Sequence, residues 1–348
     1  MADATRLTRA GDLLAATAAI QAALRGTPAS PEDDNVIEVA AREIDIDRDV
    51  DANIGASVPP PAPRAEERAS RFITGSFAHA AGTRDYKLYV PPAYQGQALP
   101  MVVMLHGCTQ DPDDFAAGTR MNEAGRGGDF FVLYPAQAHS ANPSRCWNWF
   151  KHNHQRRGRG EPALLAELTR EVMKRYGIDP RRVYVAGLSA GGAMAAILGE
   201  TYPDLYAAIG VHSGLPVGSA SNAHMAFEAM KHGPARPAAT AATRPMIVFH
   251  GDRDTTVHPV NGEHLMAGCA STAEPELQRM RSENGREFTR QIYRDVGGRV
   301  LAEHWVVHGA GHAWSGGSPL GSYTDAKGPD ATKEMVRFFF QNVMPVGG

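Results

Sequence analysis

Apolar residues along this chain gather in short dense runs divided by polar and glycine-rich stretches, and the runs are of two kinds. One kind is brief and rich in β-branched and aromatic residues: "PMVVMLHG" from Pro100, "FFVLYP" from Phe130, "RRVYVAG" from Arg181, "AAIGVHSG" from Ala207, "RPMIVFHG" from Arg244 and "AEHWVVHG" from Ala302. Each is too short for a helix and reads as a buried strand. "RFITGSFAHAAGTRDYKLYVPPAY", from Arg71, reads as a hairpin whose turn contains Gly82. The other kind repeats every three to four residues. Leu164, Leu165, Leu168, Val172 and Met173 share one helical face, with Gly177 at the stop. Ala193, Met194, Ile197 and Leu198 do the same, with Pro203 beyond the end. "TKEMVRFFFQNV" closes the chain as a last helix.

Strands alternating with helices predict an α/β domain, a mostly parallel central sheet with helices on both faces. Ligands of such sheets sit beyond the carboxyl ends of the strands. Four of the predicted strands end there in His-Gly or Ala-Gly: at Gly107, Gly187, Gly251 and Gly309.

The periodic part begins near Arg71. Before it, residues 1–26 read as an amphipathic helix with Leu13, Ile20 and Leu24 on one face, and residues 27–70 as an acidic, proline-rich linker. The catalytic domain is expected over 71–348. Within it, residues 218–243 break the alternation and read as a partly helical excursion, either a lid or a plain surface loop. Asp12 and Gln21 interrupt the alanine-rich start, so a signal peptide is not expected. Cytoplasmic residence is favoured, with a secreted or periplasmic location left open.

Composition narrows the classes. Of 348 residues, 43% are hydrophobic and 21% charged, an ordinary soluble balance, and no apolar run is long enough to span a membrane. The net charge of −3 offers no footprint for nucleic acid. Cys108, Cys146 and Cys269 have no zinc spacing, and the histidines have none either, so neither metal nor organic cofactor is expected.

Candidate chemistry starts at "YVAGLSAGGAMAA", where a strand ends on Gly187, passes one serine and restarts as a small-residue helix. Gly-x-Ser-x-Gly between strand and helix is a nucleophile elbow presenting Ser189. A serine hydroxyl needs a base, and the base an orienting carboxylate, in the chain order Ser, acid, His. "VFHGDRDTTVHPVNG" offers Asp252 and Asp254; Asp254 lies further out on the loop and is preferred. "HWVVHGAGHAWSGG" offers His304, His308 and His312; the first two belong to the strand, and His312 lies past two glycines on the loop. The backbone amide of Ala190 is one oxyanion donor. The other is expected from "MLHGCTQ", at the amide of Cys108 or, second, of Thr109.

Taken together, "LHGCTQ", "NPSRCWNWF", "GLSAGGAMAA", "HGDRDTTVHPVNG" and "GAGHAWSGG", in this order, resemble the polyhydroxybutyrate depolymerase family of α/β-hydrolase esterases over roughly residues 71–343. The resemblance implies the α/β-hydrolase fold, Ser189, Asp254 and His312 as triad, and the amides of Cys108 and Ala190 as oxyanion hole. It also implies a disulfide between Cys108 and Cys146, with Trp147 and Trp314 as substrate-binding residues, core packing being the other reading of the tryptophans. The implied activity is hydrolysis of short-chain hydroxyalkanoate polyester or oligoester, with feruloyl, acetyl-xylan or general short-chain ester hydrolysis as the alternative. A polymer granule surface is a further possible partner, and a granule-binding protein on a hydrolase scaffold the reading from another class. No polymer-anchoring module is expected after the last helix, which favours soluble oligomers over crystalline polymer.

Overall fold

The structure, a computed structural model, describes residues 71–234, 244–267 and 274–345. The expected N-terminal helix and linker, the end of the 218–243 excursion and Cys269 lie outside them. Ten strands form one sheet: β1 (Arg71–His79), β2 (Gly82–Val90), β3 (Met101–Leu105), β4 (Phe131–Pro135), β5 (Val183–Leu188), β6 (Ala208–His212), β7 (Met246–Gly251), β8 (Glu276–Arg281), β9 (Glu287–Arg294) and β10 (Val300–Val307). Their spatial order is β1-β2-β4-β3-β5-β6-β7-β10-β9-β8. The run from β4 to β10 is parallel, and an antiparallel pair flanks it on each side. A small parallel pair, β11 (Trp314–Ser315) and β12 (Thr324–Asp325), stands apart.

Seven helices among the described residues complete the layers: α1 (Pro112–Thr119), α2 (Met121–Gly128), α3 (Gly160–Tyr176), α4 (Ala190–Thr201), α5 (Ala223–His232), α6 (Val260–Ala267) and α7 (Ala331–Gln341). The central strands are buried on both faces, which is why they read as unbroken apolar runs rather than alternating ones. One core gathers Leu165, Leu168 and Val172 of α3 with Met194 and Ile197 of α4. The other gathers Phe338 and Phe339 of α7 with Phe115 of α1; Phe339 stacks on Tyr184 at 5.0 Å. Helices therefore cover both faces.

The hairpin turn differs slightly from expectation. Gly82 is the first residue of β2 and pairs with His79, leaving Ala80 and Ala81 as the turn. The pair β8–β9 has little signal in the apolar pattern, because β8 is an edge strand with Leu277 and Met280 turned to solvent.

Candidate active site

The carboxyl ends of β3, β5, β7 and β10 deliver four loops to one edge of the sheet. At the end of β5, Ser189 holds φ +58° and ψ −120°, a conformation non-glycine residues rarely adopt. Its neighbours explain why the chain tolerates it. A Cβ on Gly191 would sit 2.0 Å from the Leu105 carbonyl oxygen, and one on Gly187 2.4 Å from backbone atoms of Gly191. The glycines let α4 press against β3, so the chain turns within one residue and lifts the serine at the helix N-terminus. Ser189 N–H donates to the His212 carbonyl at 2.9 Å.

Asp254 and His312 meet across two loops. His312 Nδ1 lies 2.7 Å from Asp254 Oδ2. Asp254 Oδ1 accepts from the amides of Thr256 and Val257 at 2.9 and 2.8 Å. Burial raises the Asp254 pKa, but the hydrogen bonds from His250 and His312 outweigh it and hold the carboxyl well below its ordinary value. The two loops are also laced through their backbones, Arg253 N–H donating to the Ala310 carbonyl at 3.0 Å.

The neighbouring pair, Asp252 and His308, forms a second carboxylate–imidazole contact. His308 Nδ1 is 2.9 Å from Asp252 Oδ2, and its Nε2 is 2.9 Å from Thr289 Oγ1. This pair is more than a third exposed, whereas Asp254 is fully buried and His312 nearly so. Two acid–base pairs thus run side by side at this edge. His304 belongs to neither and is buried within β10.

On the donor loop, Thr109 N–H is already committed, donating to the Ser144 carbonyl at 2.8 Å, while the Cys108 amide has no partner among the described residues. The Ala190 amide, at the first turn of α4, has no carbonyl within the helix to bond. A disulfide joins Cys108 to Cys146. The segment after Cys146 is anchored by a buried carboxylate with no distinctive sequence signal: Glu161 accepts from Asn148 N and Nδ2, both at 2.7 Å, and from Gln137 Nε2 at 2.6 Å. Burial raises the Glu161 pKa; hydrogen bonds from His154, Gln137 and Asn148 more than reverse that and hold it low. Gln137 Nε2 in turn donates to the Cys146 carbonyl at 2.9 Å.

Two histidines missed by sequence reasoning tie the loops together. His212, whose carbonyl holds Ser189, accepts from Ser315 N at Nε2, 2.9 Å away, three residues beyond His312. His106 accepts from Gln137 N at 3.1 Å. Burial lowers the pKa of His212 to about 3 and of His106 to about 4, so both act as neutral acceptors. The only sequence signal for either is a histidine at a strand end.

Trp147 and Trp314 sit differently from the expectation of substrate contact. Both are fully buried. Trp147 Nε1 donates to the His106 carbonyl at 3.1 Å, and Trp314 Nε1 to Thr332 Oγ1 at 3.0 Å. Trp314 also stacks on His212, 5.2 Å between rings. A tryptophan beside polar loops carries the same sequence signal whether it faces solvent or the core. No group of three or more metal-ligating side chains occurs among the described residues.

The family model "Esterase PHB depolymerase" matches residues 84–270. Poly(3-hydroxyalkanoate) depolymerase C of Paucimonas lemoignei is 31% identical over 251 residues, which cover 68% of this chain and 59% of that protein. Feruloyl esterase B of Thermothelomyces thermophilus is 28% identical over 234 residues, 60% of this chain and 77% of that one. The chain therefore spans about three-fifths of the length of that depolymerase. An acetyl xylan esterase structure from Aspergillus awamori superposes with a TM-score of 0.60 at 19% identity, covering 77% of this chain and 99% of that one, and shows the shared α/β-hydrolase fold. With its strand order, its serine elbow and more than half its length matched, the chain belongs to the Esterase PHB depolymerase family.

Proposed function

We propose that this protein is a serine esterase working through an acyl-enzyme, with Ser189 as nucleophile, His312 as base and Asp254 as the acid that orients it. The observation that carries the reading is the buried Asp254–His312 pair on loops joined to the Ser189 elbow through His212. With Nδ1 directed at Asp254, His312 keeps Nε2 to take the serine proton as the hydroxyl attacks the ester carbonyl. The amides of Cys108 and Ala190 stabilise the oxyanion. The imidazolium then protonates the leaving alcohol, and water attacking the acyl-enzyme regenerates Ser189.

The substrate class proposed is a short-chain 3-hydroxyalkanoate ester, as polymer or oligomer, on the likeness to the Paucimonas lemoignei depolymerase. Similarity to feruloyl and acetylxylan esterases supports the second reading, the same chemistry on a different acyl group. Docking on a polymer granule, and a catalytic domain over 71–348 preceded by helix and linker, stay with the proposal. So does cytoplasmic residence, which stands against a cystine that persists best in an oxidising compartment.

The test is turnover of soluble 3-hydroxybutyrate oligomers, a feruloyl ester, an acetylated xylo-oligosaccharide and p-nitrophenyl butyrate by the native chain and by Ser189→Ala. Serine-dependent cleavage of the oligomers supports the first substrate class. Serine-dependent cleavage confined to the other esters replaces it with the second. Undiminished activity in Ser189→Ala refutes the mechanism.

A further inference from the structure

Behind the acid loop lies a buried pair of histidines that the proposed chemistry leaves unused. His250 on β7 and His304 on β10 occupy diagonal positions on one face of the sheet, since the register sets His304 beside Val248 and His250 beside Val306. Helix α6 lies close over them. A Cβ on its Gly262 would stand 2.9 Å from His304 Nε2 and 3.0 Å from His250 Nδ1. Both rings are buried, and neither of those two nitrogens has a hydrogen-bond partner.

The other nitrogen of His250 is engaged. Nε2 lies 2.9 Å from the Val257 carbonyl oxygen and 3.5 Å from Asp254 Oδ2. A proton on Nδ1 would be buried without an acceptor, whereas on Nε2 it meets a carbonyl and a carboxylate. The proton therefore belongs on Nε2. Its main bond goes to Val257, and toward Asp254 the N–H acts as an oriented dipole. Oδ2 is the same oxygen that faces His312 at 2.7 Å, so one carboxylate oxygen meets two imidazoles while the other meets two backbone amides.

We propose that His250 is a positioning residue for the acid–base pair: its Nε2–H pins the Asp254 loop through Val257 and draws part of the Asp254 charge away from His312. This rests on the triad reading given above. A donor aimed at the carboxylate makes it a weaker partner for the imidazolium, so His312 releases its proton more readily. Taking the donor away raises the pH at which His312 protonates and moves the acid limb of kcat/KM upward. The titratable groups facing His250 are Asp254 and His312 from the loops, His304 from β10 and His212 from β6. On α6, Glu263 is exposed and His264 packs toward Gly233. Burial lowers His304 and His212 to about 3, so neither changes charge over the range that matters.

The experiment compares His250→Gln with His250→Asn in the full chain. A glutamine amide reaches the place of Nε2, whereas an asparagine amide reaches only that of Nδ1. On p-nitrophenyl butyrate, His250→Asn is expected to lower kcat about tenfold, keep KM within about twofold and raise the acid limb by about half a pH unit; His250→Gln recovers most of each. Equal behaviour of the two variants, or an acid limb unmoved in His250→Asn, overturns the proposal. An NMR titration of His312 in the Ser189→Ala background reads the same quantity without turnover. A His312 pKa unchanged by His250→Asn refutes the positioning role even if the esterase reading stands, and a shifted one upholds it even if Ser189 proves not to be the nucleophile. Should His250→Asn fail to fold, His250→Leu takes its place.

Discussion

Asp252 and Asp254 lie two positions apart on the loop after one strand, β7, yet their environments assign them opposite expectations. Asp254 is buried, accepts two amides and faces His312; Asp252 is half-exposed, bonds the Gly309 amide and faces His308. Asp254→Asn keeps the shape but cannot hold His312 in the tautomer that leaves Nε2 free, and is expected to lower kcat by roughly 10⁴. Asp252→Asn removes a solvent-screened contact and is expected to change kcat less than about threefold. Steady-state kinetics on p-nitrophenyl butyrate checks both, and equal losses would mean that the wrong pair has been assigned to Ser189.

At the scale of elements, the disulfide ties the donor loop to the segment 137–148, whose two ends Glu161 holds through Gln137 and Asn148. The bond closes a loop with a sequence separation of 38 residues, worth up to about 4 kcal/mol in chain entropy. A Cys108→Ala/Cys146→Ala double variant is expected to lose about 2–4 kcal/mol of stability, with kcat falling more than KM rises, since the proposed oxyanion donor, the Cys108 amide, sits on the released loop. Chemical denaturation and kinetics on the same samples measure both. Much of this level was legible beforehand. Continuous apolar runs gave away the parallel strands, and Gly187, Ser189 and Gly191 the elbow, because burial on both faces and close backbone approach each leave a mark on residue choice. What was not legible has a common cause. β8 packs one side only and shows no apolar run, while Glu161, His106 and His212 act through partners far away in the chain. Burial, too, is a property of the folded surroundings, so no mark in the sequence distinguishes enclosed tryptophans such as Trp147 and Trp314 from exposed ones.

Among the described residues, burial lowers the pKa values of three imidazoles, His106, His212 and His304, to about 4, 3 and 3. The unfolded chain protonates them near pH 6.5. Below that pH it therefore binds protons that the folded state refuses, and stability falls as pH falls until the folded values are reached. Each group contributes a slope of about 1.4 kcal/mol per pH unit, roughly 4 kcal/mol for the three together. Asp254 and Glu161, held low, act in the same direction but only below about pH 4. Urea denaturation is expected to show a marked loss of stability between pH 7 and pH 5; equal midpoints at both would contradict it.

The sheet order has one more consequence, for the way the molecule comes into being. The parts of the site sit on β3, β5, β7 and β10, and β3 joins β5 only after β4 and α3 have been threaded between them in sequence. Parallel pairings of this kind close long loops before any contact rewards them, so they form slowly. Until β7 pairs with β10, Asp254 and His312 are strangers. On the proposed triad, activity waits on that pairing, and no half-assembled sheet can give it.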